Sequence, residues 1–153
     1  MEVVIVPFDK RFAKDFARLN LAWLQKYFVV EPHDAVLLEQ CEETIITPGG
    51  HIFFAKAENK IVGTFSLIPL SKGVYELGKM AVDEQFQGHK IGQKLMEHCI
   101  AFAKQQQWQK LILYSNTLLE NAIYIYRKFG FVAIPMEAKP PYVRSNIKME
   151  LVW

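Results

Sequence analysis

Cysteine is scarce in this 153-residue chain: Cys41 and Cys99 stand alone, with no C-x-x-C pair. That excludes a disulfide scaffold and a thiolate metal cluster, and it fits reduced thiols in a cytoplasm. His98 and Cys99 are neighbours on a helical stretch and point in different directions, so no metal site is expected. No apolar run approaches the ~20 residues that a membrane helix needs. Met1–Pro7 is apolar but short, with Glu2 where a basic region would stand, and reads as a first strand rather than a signal peptide. Charge of one sign is also lacking. The net charge of +2, with no Lys/Arg run among aromatics, argues against nucleic acid as a partner, and no acidic run announces a polyamine site. G-x-x-x-x-G-K-[ST] and G-x-G-x-x-G are both missing, which removes the P-loop and the dinucleotide fingerprint. No repeat or linker divides the chain, so one domain spanning residues 1–153 is expected.

What is present is a globular composition, 51% hydrophobic and 22% charged, enough for a single sizeable core. The chain is organised around residues 76–100. Glu76 to Val82 alternates like a strand, Asp83 to Gly92 is polar with two glycines, and Ile91, Leu95, Cys99 and Phe102 recur at helical spacing. A strand entering a glycine-containing turn that opens a helix aims unpaired N–H groups and the positive helix end at whatever lies ahead. That is an anion site, best suited to phosphate.

Around it the pattern predicts a strand over Val3–Pro7 and a cap at Asp9. A helix follows with Phe12, Phe16, Leu19, Trp23 and Tyr27 as a core stripe, then a shorter helix capped by Asp34. His51–Ala57 and Lys60–Ile68 form a hairpin signal, and Ser71–Gly73 turns into the organising strand, completing a meander. Lys110–Ser115 is a strand of the buried, parallel kind, so strand, helix and strand make a crossover that puts two strands side by side. A helix over Leu118–Phe129 stops at Gly130, and Phe131–Ile134 and Ile147–Trp153 read as closing strands.

Two segments carry a family resemblance. Gln87-Gly-His-Lys-Ile-Gly92 resembles the Q/R-x-x-G-x-G/A pyrophosphate loop of the GCN5-related N-acetyltransferase (GNAT) superfamily, with Lys90 where the inner glycine is usual. Asn121-Ala-Ile-Tyr-Ile-Tyr-Arg-Lys-Phe-Gly-Phe131 resembles the segment that closes that superfamily's core, at the expected distance downstream. The resemblance covers about Val74 to Ile134. It implies an α/β fold of mixed type: a central, mostly antiparallel sheet, a parallel strand pair splayed at the cofactor site, and helices on both faces.

The same resemblance implies function. Acetyl-CoA would be the co-substrate, without a metal, and its acetyl group would pass to a primary amine by direct attack in a ternary complex. The other reading is a non-catalytic acyl-CoA-binding or sensing domain. The backbone of Met80, Ala81 and Val82 would bind the pantetheine arm, and the amides of Gln87, Gly88, His89, Lys90, Ile91, Gly92 and Gln93 the pyrophosphate. Asn121 would reach the pantetheine arm and Tyr126 the thioester sulfur. Glu76, six residues before Val82, stands where histone-acetylating members carry a catalytic glutamate.

The chemistry asks for such groups. An amine of pKa about 10.4 must lose a proton before attack, which a carboxylate can take. An oxyanion needs a donor, for which the Met80 amide is the candidate, and a leaving thiolate needs a proton, which the Tyr126 phenol can give. Taken alone, Glu76 is equally an outward residue of a half-buried strand, and Tyr126 a core residue of an amphipathic helix. His33, Tyr142 and Arg144 sit in predicted loops that either border the acceptor pocket or are ordinary loop polarity. The amine's identity and the assembly state stay open, a homodimer being one option.

Overall fold

The computed structural model describes residues 1–153. Seven strands form one sheet: β1 (Val3–Pro7), β2 (His51–Ala57), β3 (Lys60–Ser71), β4 (Val74–Val82), β5 (Lys110–Ser115), β6 (Val132–Ile134) and β7 (Ile147–Val152), in the order β1-β2-β3-β4-β5-β7-β6. All pairs are antiparallel except β4 with β5. Four α-helices, α1 (Ala13–Tyr27), α2 (Pro32–Glu39), α3 (Ile91–Gln105) and α4 (Glu120–Lys128), cover the two faces.

Each face has its own core. On one, Phe65, Leu67, Leu95, Met96 and Leu111 are fully buried with α3, and Ile123 and Tyr126 of α4 pack against them. On the other, Phe16, Leu19 and Leu24 of α1 meet Leu37 and Leu38 of α2 over Ile52, Phe54 and Ile61. Gly63 on β3 explains how closely α3 lies. A Cβ there would come within 3.0 Å of Leu95 Cδ1 and 3.1 Å of Ile91 Cγ2, so the helix start is seated directly on the strand. The β2–β3 hairpin turns through Glu58 (φ 52°) and Asn59 (φ 63°), the left-handed pair that a two-residue hairpin turn requires.

Two irregularities position the site. β4 and β5 pair only over Val74–Glu76 and Lys110–Ile112, then separate. Beside that divergence β4 carries a bulge against β3. Thr64 faces Ala81 and Ser66 faces Gly78, so one residue of β3 spans two of β4. Lys79 adopts φ 51° within it. The extra residue reverses which side chains face which core. Tyr75 and Leu77 lie on the α3 side before the bulge, Met80 and Val82 after it, while Ala81 joins the α1–α2 side.

Several sequence expectations shift. Asp9 caps a short 3₁₀ turn over Lys10–Phe12, its Oδ1 accepting from the Arg11 amide at 2.8 Å, and α1 starts only after it. The aromatic stripe is core at Phe16 and Leu19 but not at its end, since Tyr27 is 53% exposed. Glu31, not Asp34, stands before α2. Asp34 lies one turn in and accepts from the Glu31 amide at 2.9 Å. His33 belongs to α2 rather than to a loop. A π-helical turn at Glu42–Ile46 has no counterpart in the sequence pattern. No helix is long and apolar enough to cross a membrane.

Candidate active site

Where β4 and β5 part, the sheet opens into two joined cavities. The inner one is walled by β4 from Glu76 to Val82, by Tyr114 to Asn116 at the end of β5, and by Tyr142 to Ser145 without Val143. The outer one runs from Met80–Val82 along Gln87, Gly88 and Lys90–Gln93 to the start of α4 at Glu120–Ala122. Met80, Ala81, Val82, Gln87 and Tyr126 line both, so they mark the passage between them.

The turn expected to receive an anion lines the outer cavity. Asp83 caps a 3₁₀ turn over Glu84–Phe86 by accepting from the Gln85 amide at 2.9 Å. Gly88 (φ 87°) and Lys90 (φ 60°) then take left-handed backbone conformations, which swing the chain into α3. Lys90 thus holds a conformation that glycine would adopt without strain, a modest local cost. Helix α3 has no side-chain cap at its start, so the amides of Ile91, Gly92 and Gln93 remain available to an acceptor placed ahead of them. Gly92 has ordinary room: a Cβ would sit 3.7 Å from Ile125 Cδ1 and 3.9 Å from Val82 Cγ2. The Gln93 side chain is engaged elsewhere, its Oε1 accepting from Lys128 Nζ at 2.8 Å.

Between the two cavities the unpaired edges of β4 after Glu76 and of β5 after Ile112 face each other. Such edges accept an extended ligand that carries amides of its own, as a strand would be added. The cradle at α3 together with this slot fits a phosphate head joined to an amide-bearing arm.

The inner cavity carries the ionisable groups. Glu76 is 7% exposed, and its Oε2 accepts from the Tyr142 hydroxyl at 3.4 Å. Burial pushes its carboxyl up to about 7, against the opposing pull of Lys79. Beside it lies a buried charge cluster. Asp34, fully buried, accepts from Lys79 Nζ at 2.6 Å and from both terminal nitrogens of Arg144 at 2.6 and 2.8 Å. Glu31 accepts from the Val143 and Arg144 amides at 2.9 and 3.2 Å, tying this segment to α2. Both cations stand over the Tyr142 ring, Lys79 at 4.4 Å and Arg144 at 4.6 Å. Despite the desolvation of Asp34, its partners Arg144 and Lys79 hold it down to about 2. Lys79 itself is lowered by its own burial, with Asp34 opposing.

Tyr126 sits at the junction, its ring 6.0 Å from Phe131. Burial raises the phenol to about 12, so it stays protonated at neutral pH. Nearly all the residues singled out from the sequence line one or other of the two cavities. His89 and His33 are the exceptions, lining neither cavity. His89 is exposed on the turn, and the His33 ring lies 5.3 Å from that of Tyr142. Lys79, Glu31, Trp23, Phe28 and Tyr114 were not anticipated as site residues. One signal did exist: a lysine inside the apolar strand Leu77–Val82 demands a buried counter-charge.

Comparison with known proteins agrees with this fold. The Acetyltransferase (GNAT) family matches residues 17–131, and the chain belongs to that family. An uncharacterised N-acetyltransferase of Dictyostelium discoideum is 36% identical over 73 residues, which are 48% of this chain and 32% of that protein. Human N-acetyltransferase 8B is 26% identical over 88 residues, 54% of this chain and 39% of its own length. The chain therefore spans only about a third of the length of these relatives. The crystal structure of a GNAT acetyltransferase from Staphylococcus aureus Mu50 superposes with TM-score 0.86 at 24% identity, over 97% of this chain and 98% of that one. The PaiA N-acetyltransferase of Thermoplasma acidophilum, solved in complex with coenzyme A, does so with TM-score 0.78 at 16% identity over the full length of both. Family and fold together support acyl transfer as the chemistry.

Proposed function

We propose that this protein moves the acetyl group of acetyl-CoA to a primary amine by direct attack within a ternary complex. The observation that carries the reading is Glu76: a buried carboxyl, held to about 7, on the wall of a cavity that opens past Tyr126 into an anion cradle. A base with that pKa is half ionised at neutral pH and still takes a proton from an ammonium group. The structural relatives solved with coenzyme A or acetyl-CoA bound support the donor.

In this reading the bound donor supplies an activated acyl thioester, and the chain supplies everything else. The amides of Ile91, Gly92 and Gln93 hold the pyrophosphate, with Lys90 adding positive charge. The opposed edges of β4 and β5 grip the arm, and Asn121 reaches it from the first turn of α4. Glu76 takes the proton that the amine gives up. The Met80 amide, turned by the Lys79 bulge, donates to the carbonyl oxygen as it gains charge. Tyr126 donates a proton towards the sulfur and recovers one from solvent, while Glu76 passes to solvent each of the two protons that the ammonium nitrogen loses, so the net change is one proton released. The products are an amide and a free thiol. Following free-thiol release with acetyl-CoA over a panel of primary amines tests the whole reading. Amine-dependent release supports it. Tight acetyl-CoA binding with no release by any amine would identify a sensing domain instead.

A further inference from the structure

Resting on the acetyl-transfer reading, the geometry points to a class of acceptor: we propose that the inner cavity takes a primary monoamine carrying an aromatic ring. Three charged side chains line that cavity, Glu76, Lys79 and Arg144. Two of them are committed. Lys79 and Arg144 are held by the fully buried Asp34, and Arg144 also by Glu31 at 3.3 Å. This four-membered cluster is neutral overall, which leaves Glu76 as the one lining charge without an oppositely charged partner. One carboxylate receives one ammonium. A polyamine would bring a second ammonium to a wall that offers it no carboxylate and already holds two cations. An amino acid would bring its carboxylate beside Glu76. Drawing Arg144 away to meet it would strip Asp34 of a partner deep in the fold.

The rest of the inner wall is aromatic. Trp23 and Phe28 come from the end of α1, Tyr114 from β5 and Tyr142 from the segment before β7. Their polar groups are already engaged. Trp23 Nε1 donates to Asn20 Oδ1 at 3.0 Å, the Tyr114 hydroxyl to Glu137 at 2.8 Å and the Tyr142 hydroxyl to Glu76. Lys79 and Arg144 cover the Tyr142 ring, and Arg144 stands 5.7 Å from the Trp23 ring centre, so the ring surface left for a ligand comes from Phe28, Tyr114 and the rest of Trp23. Trp23 and Phe28 already meet edge to face at 6.2 Å, the packing that a ligand ring would extend.

The test compares phenethylamine, butylamine, spermidine and alanine in two measurements on the same protein. Calorimetry with the CoA-saturated protein reads amine binding without transfer, and thiol release with acetyl-CoA reads turnover. Phenethylamine is expected to bind tightest and to exceed each of the others in kcat/KM by about tenfold or more. Trp23→Ala should raise KM for phenethylamine severalfold while leaving butylamine nearly unchanged, and Phe28→Ala repeats the test from a second position. A preference for spermidine or alanine, equal use of all four amines, or no amine binding would overturn the assignment. Selective binding of phenethylamine with no turnover of any amine would uphold the cavity assignment and refute acetyl transfer.

Discussion

Glu76→Gln should separate activity from stability in opposite directions. The carboxyl titrates at about 7 in the fold, against an ordinary value of 4.5, chiefly because burial penalises its charge. At 1.36 kcal/mol per pH unit, that gap is worth about 3 kcal/mol. The folded state thus holds its proton where the unfolded chain has already lost it. Stability linked to Glu76 is complete below pH 4.5, declines as pH rises through about 7, and is gone above that. Glutamine keeps the shape and cannot ionise. Urea unfolding across pH should therefore show the stability of Glu76→Gln relative to wild type rising by about 3 kcal/mol between about pH 4 and about pH 9. Any constant offset from new amide hydrogen bonds cancels in that difference. Over the same range turnover should fall by about 10²-fold or more, with acetyl-CoA affinity retained. A flat stability difference would refute the buried, proton-holding Glu76, and unchanged turnover would refute its role as base.

Gly92→Glu places a carboxylate at the start of α3 where a Cβ has ordinary room, so folding should survive while calorimetry shows acetyl-CoA binding greatly weakened. It is a cleaner probe than Gly88→Glu, because Gly88 sits at φ 87° and would add backbone strain. Tyr126→Phe should leave thermal unfolding nearly unchanged and slow pre-steady-state acyl transfer by roughly 10²–10⁴-fold; a wild-type transfer rate would reduce Tyr126 to packing. Asp34→Ala strands two buried cations, Lys79 and Arg144, and should cost about 3–5 kcal/mol in denaturant unfolding. In the wild type, Asp34 is held at about 2 against an ordinary 3.8. It contributes about 2 kcal/mol that is present above pH 3.8 and lost as pH falls towards about 2, which acid unfolding monitored by circular dichroism will read.

The local parts of this protein were legible because their determinants are local. Glu58-Asn59 announced its hairpin, Ile91, Leu95 and Cys99 their helix face, and the glycines around Lys90 their turn. Distant pairings were not legible. Asp34 reads as a helix cap because it follows a proline near a helix start, yet its partners lie 45 and 110 residues away. No spacing rule reaches that far. Trp23 and Tyr27 continue the periodicity of α1, but the helix runs out over the cleft, so Trp23 is shared between core and inner cavity and Tyr27 borders the outer one. The family resemblance implied a splayed strand pair here, and β4 parts from β5 beside a bulge. That Lys79 would occupy it in a left-handed conformation follows only from the buried Asp34 that its ammonium reaches. Glu76 was placed by its distance from Val82, while its burial, which raises its pKa, and its hydrogen bond from Tyr142, 66 residues away, which opposes the rise, belong to the folded chain alone.

The proposed direct transfer from acetyl-CoA to an amine can be followed in a single turnover with acetyl-labelled acetyl-CoA. Neither cysteine is available as a carrier, since Cys41 and Cys99 are both buried and burial raises the Cys99 thiol far above its usual range. Label is expected to pass to the amine at the rate of thiol release, with none on the protein at any time. Labelled protein forming before amine is added, or thiol release without an equivalent of amide, would contradict direct transfer.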